Sequence, residues 1–234
     1  MSFPRRVEPE WLDQLAADDP RAIRARRDLR RVNAWMQNAS RMVAALLKYG
    51  EHPRTILDLG SGDGQFMLRV ARRLAPHWPN VTIILQDRQN IVSHATREGF
   101  TALQWHVQTS SADVFDFLAD KQSSSVDVIT SNLFLHQFVD EDLARLLARS
   151  AQLARFVVAC EPRRAKFVVR ASRLLWMIGC NDVSVHDAKV SARAGFRDGE
   201  LSALWPSQGE WKLHENATGP FTHCFVASYT PRAA

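Results

Sequence analysis

Hydrophobic residues along this chain fall into two rhythms. Short apolar runs occupy Thr55–Leu59, Val81–Asp87, Ala102–Val107, Val126–Asn132 and Arg155–Pro162. Runs of that length, bounded by glycine, proline or acid, suit buried strands. Between them apolar residues recur at helical spacing. Phe66, Met67, Val70, Ala71 and Leu74 mark a helix over 65–74. A second helix is expected over 88–98 with Gly99 as its stop, and Leu143, Leu146 and Leu147 mark a third over 141–153. Strands and helices alternate five times, which predicts a parallel sheet with helices on both faces. Ligand-binding groups then belong at the carboxyl ends of the strands, where the strand order reverses.

The flanks behave differently. Glu8–Ala17 reads as a short helix, and Asp18-Asp19-Pro20 breaks it and caps the next. Arg21–Tyr49 predicts one long helix with Met36, Val43, Leu46 and Leu47 on its apolar stripe, stopped by Gly50. After the fifth strand, Arg163–Ile178 is basic and then apolar nearly all round, which reads as a core helix or as a wall for an alkyl or aromatic ligand. A turn at 179–182 precedes a helix over Val183–Ala194, closed by Gly195. Trp211–Glu215 and Phe221–Tyr229 alternate and predict an antiparallel hairpin. The expected organisation is an N-terminal helical extension or lid at 1–52 and a core at 53–234, with an insert at about 162–206. Ser123-Ser124-Ser125 is the one low-complexity tract, and there is no internal repeat.

Composition narrows the classes. The 234 residues suffice for one domain, and 46% are hydrophobic, enough for a sizeable core. No apolar run reaches the roughly 18 residues a membrane span needs. Met1–Glu10 lacks the apolar segment of a secretory signal. Cys160, Cys180 and Cys224 are far apart in the sequence and form no CxxC, so neither a disulfide framework nor a zinc site is expected, and a cytoplasmic protein fits. No metal site is expected. The net charge is +5, with Arg21, Arg24, Arg26, Arg27, Arg30 and Arg31 clustered. Such a cluster is either a nucleic-acid footprint or a solvated helix face.

The chemistry concentrates in Asp58-Leu59-Gly60-Ser61-Gly62-Asp63-Gly64, between the first strand and its helix. Glycines there admit positive φ and let a ligand approach the main chain. The helix N-terminus adds free N–H groups. A dinucleotide fingerprint requires a third glycine where Gln65 stands. Asp58 would also repel a pyrophosphate, whereas it suits a cationic α-amino group. An acid, Asp87, ends the second strand, where a carboxylate accepts hydrogen bonds from both hydroxyls of a ribose. The alternative for Asp87 is an ordinary helix cap.

The acid-x-Gly-x-Gly pattern resembles motif I of the class I S-adenosylmethionine-dependent methyltransferases. The resemblance implies a Rossmann-like, seven-stranded, mostly parallel sheet whose last strand is antiparallel. It implies S-adenosylmethionine as cofactor, with Asp58 near its methionine end and Gly60, Ser61, Gly62 and Gly64 lining the loop. It further implies Asp87 and Arg88 near the ribose, Asp113 and Val114 at the adenine, and Asn132 at the tip of the fourth strand. Asp113 also fits a helix start. The run after that strand, Leu133-Phe134-Leu135-His136, is similar to that of small-molecule methyltransferases. It departs from the N/D-P-P-Y/F motif of base-methylating enzymes, which argues against a nucleic-acid substrate.

Glu161-Pro162-Arg163-Arg164, Gly179-Cys180-Asn181, His186-Asp187 and Ala194-Gly195-Phe196 resemble a bacterial subgroup that accompanies type III polyketide synthases and O-methylates phenolic lipids. That implies a small, lipophilic aromatic acceptor. A phenol needs a base. His186, followed by Asp187, ranks first and His136 second, with packing histidines as the alternative. His214 and His223 read as structural. Rival readings are an RNA or protein methyltransferase using the basic helix, or a non-catalytic cofactor-binding partner subunit. The chain is expected to be a monomer or a homodimer.

Overall fold

A computed structural model describes residues 3–48, 51–119, 125–206 and 210–230. Tyr49 and Gly50, and most of the serine tract, lie outside them. The elements are α1 (Pro20–Met36), α2 (Asn38–Leu47), β1 (Thr55–Leu59), α3 (Gln65–Leu74), β2 (Thr82–Asp87), α4 (His94–Thr101), β3 (His106–Ser111), α5 (Val114–Ala119), β4 (Val128–Asn132), α6 (Asp140–Leu153), β5 (Phe156–Pro162), α7 (Lys166–Ser172), α8 (Asp182–Ala194), α9 (Glu200–Leu204), β6 (Trp211–Ala217) and β7 (Thr222–Tyr229).

The sheet runs β3-β2-β1-β4-β5-β7-β6. Strands β1 to β5 pair in parallel, and β7 is antiparallel to both neighbours. The order reverses between β1 and β4, so a crevice opens at their carboxyl ends. The period of two along each strand builds two cores. Ile56, Val128, Val158 and Cys160 face α2, α3 and α4. Leu57, Leu59, Ile129 and Ala159 face α5, α6 and α9. Asp58 lies on the same face as Ile56, buried in the sheet's interior.

Several boundaries differ from expectation, each for a local reason. The long N-terminal helix is two helices. Gln37 adopts φ 58°, ends α1 and starts α2, with no glycine to announce the break. The short helix expected over Glu8–Ala17 is only a 3₁₀ turn at Leu12–Gln14, and the rest is irregular, with bends at Trp11 and Leu15. The helix expected from Arg88 begins at His94 instead, capped by Ser93. Gly99 lies inside that helix; an added Cβ would sit 2.7 Å from Leu68 Cδ2, so the glycine permits close packing on α3. Strand β3 begins at His106, later than expected, because apolar Trp105 is buried in the turn before it. The apolar stretch at 173–178 is a 3₁₀ turn, largely exposed, and is not a core helix.

Cys160 and Cys224 sit opposite each other on β5 and β7, their sulfurs 3.5 Å apart as free thiols. Among the described residues no helix is long and apolar enough to cross a membrane.

The insert returns to the sheet through Gly195. An added Cβ there would lie 2.2 Å from the Pro162 carbonyl oxygen, which accepts the Phe196 N–H at 2.9 Å. Gly195→Ala must push this bridge off β5 and should cost about 1–3 kcal/mol in urea unfolding. An unchanged midpoint would contradict this packing.

Candidate active site

The loop after β1 carries three glycines in left-handed conformation, Gly60 (φ 68°), Gly62 (φ 55°) and Gly64 (φ 72°). Only glycine adopts this region without strain. At Gly60 space is also short, since a Cβ would lie 2.3 Å from the Phe134 ring. Asp87 holds the loop from the next strand. Its Oδ2 accepts the Gly62 N–H at 2.8 Å, and its Oδ1 accepts the Gln89 N–H at 2.9 Å.

A cleft of about 610 Å³ lies over these strand tips. Asp58, Gly60, Ser61, Gly62, Asp87, Arg88, Asp113, Val114 and Asn132 all line it. Gly64 does not. It stands behind the loop, where an added Cβ would meet Leu85 Cδ1 at 2.9 Å. The cleft also draws on Asn33, Gln86 and Phe138, which sequence reasoning missed. Gln86 left one signal, an amide within an apolar strand. Its Oε1 and the Ser61 Oγ are buried and have no partner. Such orphaned atoms at a cleft wall fit a polar ligand.

The remaining residues split by neighbourhood. Asp113 Oδ1 accepts the Phe115 N–H at 2.8 Å and so caps α5 while facing the cleft. Arg88 turns to the Asp13 carbonyl at 3.2 Å. Asn132 exchanges hydrogen bonds with Asn33 (3.1 Å) and Asn38 (2.9 Å), tying α1 and α2 to β4. Asp58 accepts from Thr130 Oγ1 at 2.7 Å. Burial pushes its carboxyl up to about 7, opposed by that hydrogen bond and helped by the charge of Asp87. Leu133 follows β4 with φ 55°, a strained value for a residue with a side chain.

A second, apolar cavity of about 140 Å³ adjoins the first. Glu10, Leu12, Leu29 and Leu133 form walls of both. His136 and Asp187 line the second, whereas His186 lines neither. His136 Nδ1 is 2.7 Å from Glu161 Oε2 and its Nε2 is 3.1 Å from Glu10 Oε1. Burial opposes its charge, but hydrogen bonds to Glu10 and Glu161 prevail and push its pKa up to about 9. An imidazolium donating both N–H groups has no lone pair left for a proton. His186 stacks on Trp11 with ring centroids 3.8 Å apart, and its Nδ1 is 2.9 Å from Asp187 Oδ1. Asp187 accepts the N–H groups of Trp11 (2.8 Å) and Leu12 (3.0 Å). These two residues therefore fasten the N-terminal segment. Glu10, 126 positions from His136, gave no sequence signal. His223 pairs with Glu215 at 2.8 Å within the hairpin.

Residues 56–155 match the family model described as "Methyltransferase domain". Over that segment the chain is similar to methyltransferase domains. No curated protein matches. Solved structures share the fold at low identity. An O-methyltransferase family protein from Burkholderia thailandensis is 19% identical, with a TM-score of 0.63 over 93% of this chain. The chain spans only 62% of that protein's length. The plantazolicin methyltransferase BpumL, in complex with S-adenosylhomocysteine, gives a TM-score of 0.62 at 15% identity, covering 94% of each chain. Magnesium protoporphyrin IX methyltransferase from Synechocystis PCC 6803, also with bound S-adenosylhomocysteine, gives 0.55 at 12% identity, over 94% of this chain and 91% of that one. The matched segment runs from β1 to just past α6 and includes the glycine loop, Asp87 and Asp113. Among the described residues no cluster of three or more His, Cys, Asp or Glu side chains is arranged to hold a metal.

The buried triad has a signed pH dependence. His136 gains protons on folding, so its contribution is complete below its unfolded pKa of about 6.5 and is lost as pH rises through about 9. Unfolding free energy should therefore fall by about 2–3 kcal/mol on this account between pH 6 and pH 10, and Glu10→Gln should shrink the fall. A wild-type curve as flat as that of the variant would contradict the charged triad.

Proposed function

We propose that this chain transfers a methyl group from S-adenosylmethionine to a hydroxyl of a small, lipophilic aromatic acceptor. The observation that carries the reading is the pair of adjoining cavities: a polar one at the strand tips with orphaned acceptors, and an apolar one behind a shared wall. When bound, the cofactor supplies an activated methyl carbon, and the protein contributes alignment and desolvation.

In this reading Asp58 receives the cofactor's ammonium group, and the Gly60–Gly62 backbone admits its amino-acid end. Asp87 accepts from the ribose hydroxyls, Asp113 and Val114 meet the adenine, and Gln86 Oε1 and Ser61 Oγ gain partners. The apolar cavity is about the size that holds one aromatic ring. Phenolic lipids, the acceptor class suggested by the sequence resemblance, fit its lining. Glu10 stands at the boundary between the cavities, hydrogen-bonded by His136 and Ser191. It is the candidate proton acceptor, taking the hydroxyl proton as the oxygen attacks, with His136 and Glu161 holding it in place. The N-terminal extension acts as a cover, pinned by Arg5 to Asp140 and by Asp187 to Trp11 and Leu12. The basic helix is partly spoken for: Arg21, Arg30 and Arg31 pair with Asp19, Asp63 and Asp28.

An assay with radiolabelled methyl donor against long-chain phenols, matched amines and RNA tests the class. Label should enter the phenols; label in RNA alone, or in no acceptor, would overturn it. Asp87→Asn should weaken calorimetric binding of S-adenosylhomocysteine by about 1.5–3 kcal/mol without unfolding the chain. Unchanged affinity would remove Asp87 from the site. Glu10→Gln should lower kcat about 10²-fold or more while leaving that affinity alone. An unaltered kcat would assign the proton to another group.

A further inference from the structure

The turn that follows α7 presents a surface that methyl transfer does not use. In the 3₁₀ turn Arg173–Ile178 only Leu175 is buried. Leu174, Trp176, Met177 and Ile178 are 57%, 66%, 65% and 58% exposed. Single exposed apolar residues are ordinary, but a contiguous group of large ones marks an interaction site. The turn is held firmly. Gly179 closes it at φ 80°, the Cys180 N–H donates to the Leu175 carbonyl at 3.1 Å, and Arg24 donates to the Gly179 carbonyl at 3.2 Å. Exposed Ile23 on α1 faces Gly179 across a shallow cleft.

The charge around this knob is nearly all of one sign. From Lys166 to Gly179 the chain has Lys166, Arg170 and Arg173 and no carboxylate. Helix α1 adds Arg24 and Arg27 beside Gly179. Among the described residues none of these five cations has an ion-pair partner, whereas Asp28 is buried and paired with Arg31. Asp19 is paired with Arg21, and Asp182 is the exposed acid that follows the turn. An apolar tip ringed by unpaired cations complements an anionic lipid surface: the side chains enter the acyl boundary and the arginines meet phosphates. A partner protein would need matching acids and an apolar socket, whereas a bilayer supplies both without specific shape.

We propose that the Arg173–Ile178 turn docks this protein on an anionic membrane surface, through Leu174, Trp176, Met177 and Ile178 and the surrounding Arg24, Arg27, Lys166, Arg170 and Arg173. The end of α7, at Ala171 and Ser172, and the buried Leu175 of the turn form a wall of the apolar cavity, as does Trp35, which is 63% exposed. A lipophilic acceptor could then pass from bilayer to cavity; that corollary rests on the proposed function, and docking does not.

Flotation of the full chain with phosphatidylcholine vesicles, with and without phosphatidylglycerol, is the test. The chain should float with the anionic vesicles, stay largely free of neutral ones and detach at high salt. Each basic residue near the surface contributes about fivefold. Arg170→Glu/Arg173→Glu and Met177→Ser/Ile178→Ser should each reduce binding at least about tenfold with an unchanged thermal midpoint, since these side chains are exposed. Wild-type protein that ignores anionic vesicles overturns docking, as does equal binding by the serine variant. A wild-type dimer that the serine variant dissolves, with no vesicle binding, would instead assign the patch to a second copy.

Discussion

The site depends on one constraint, the reversal of the chain at the tip of β1. Three left-handed glycines within five positions let the backbone reverse beneath the Phe134 ring and line the cleft. No other residue reaches this conformation without strain, and at Gly60 none would fit. Asp87 fixes the result by accepting the Gly62 N–H.

A second arrangement joins the N-terminal segment to this platform. Burying the imidazolium of His136 is unfavourable unless charge and hydrogen bonds compensate. Glu161 compensates from β5 and Glu10 from the N-terminal segment. Removing that segment would leave His136 with one carboxylate. The same carboxylate of Glu10 borders both cavities.

The central elements were legible because their signals are local. The glycine loop, the strand ending in Asp87 and the parallel order of β1 to β5 follow from runs, turns and spacing. Three kinds of feature were not. Gln37 ends a helix in a conformation its side chain does not advertise. Strand β3 is a polar edge strand, so the apolar Trp105 just before it drew the boundary too early. Glu10, Asn33 and Phe138 join the site only through tertiary packing, across separations that no periodicity spans. The partners of the histidines were hidden for a related reason. Sequence shows a titratable ring near a strand tip, but not whether both its nitrogens are already engaged.

The account's central claim is that the strand-tip cleft holds a sulfonium nucleoside. A crystal structure of the chain grown with S-adenosylhomocysteine tests it most directly. Density for the ribose against Asp87 and for the amino-acid end beside Asp58 is the predicted result. A cleft that stays empty at saturating ligand, or one that takes a nicotinamide dinucleotide in preference, would contradict it.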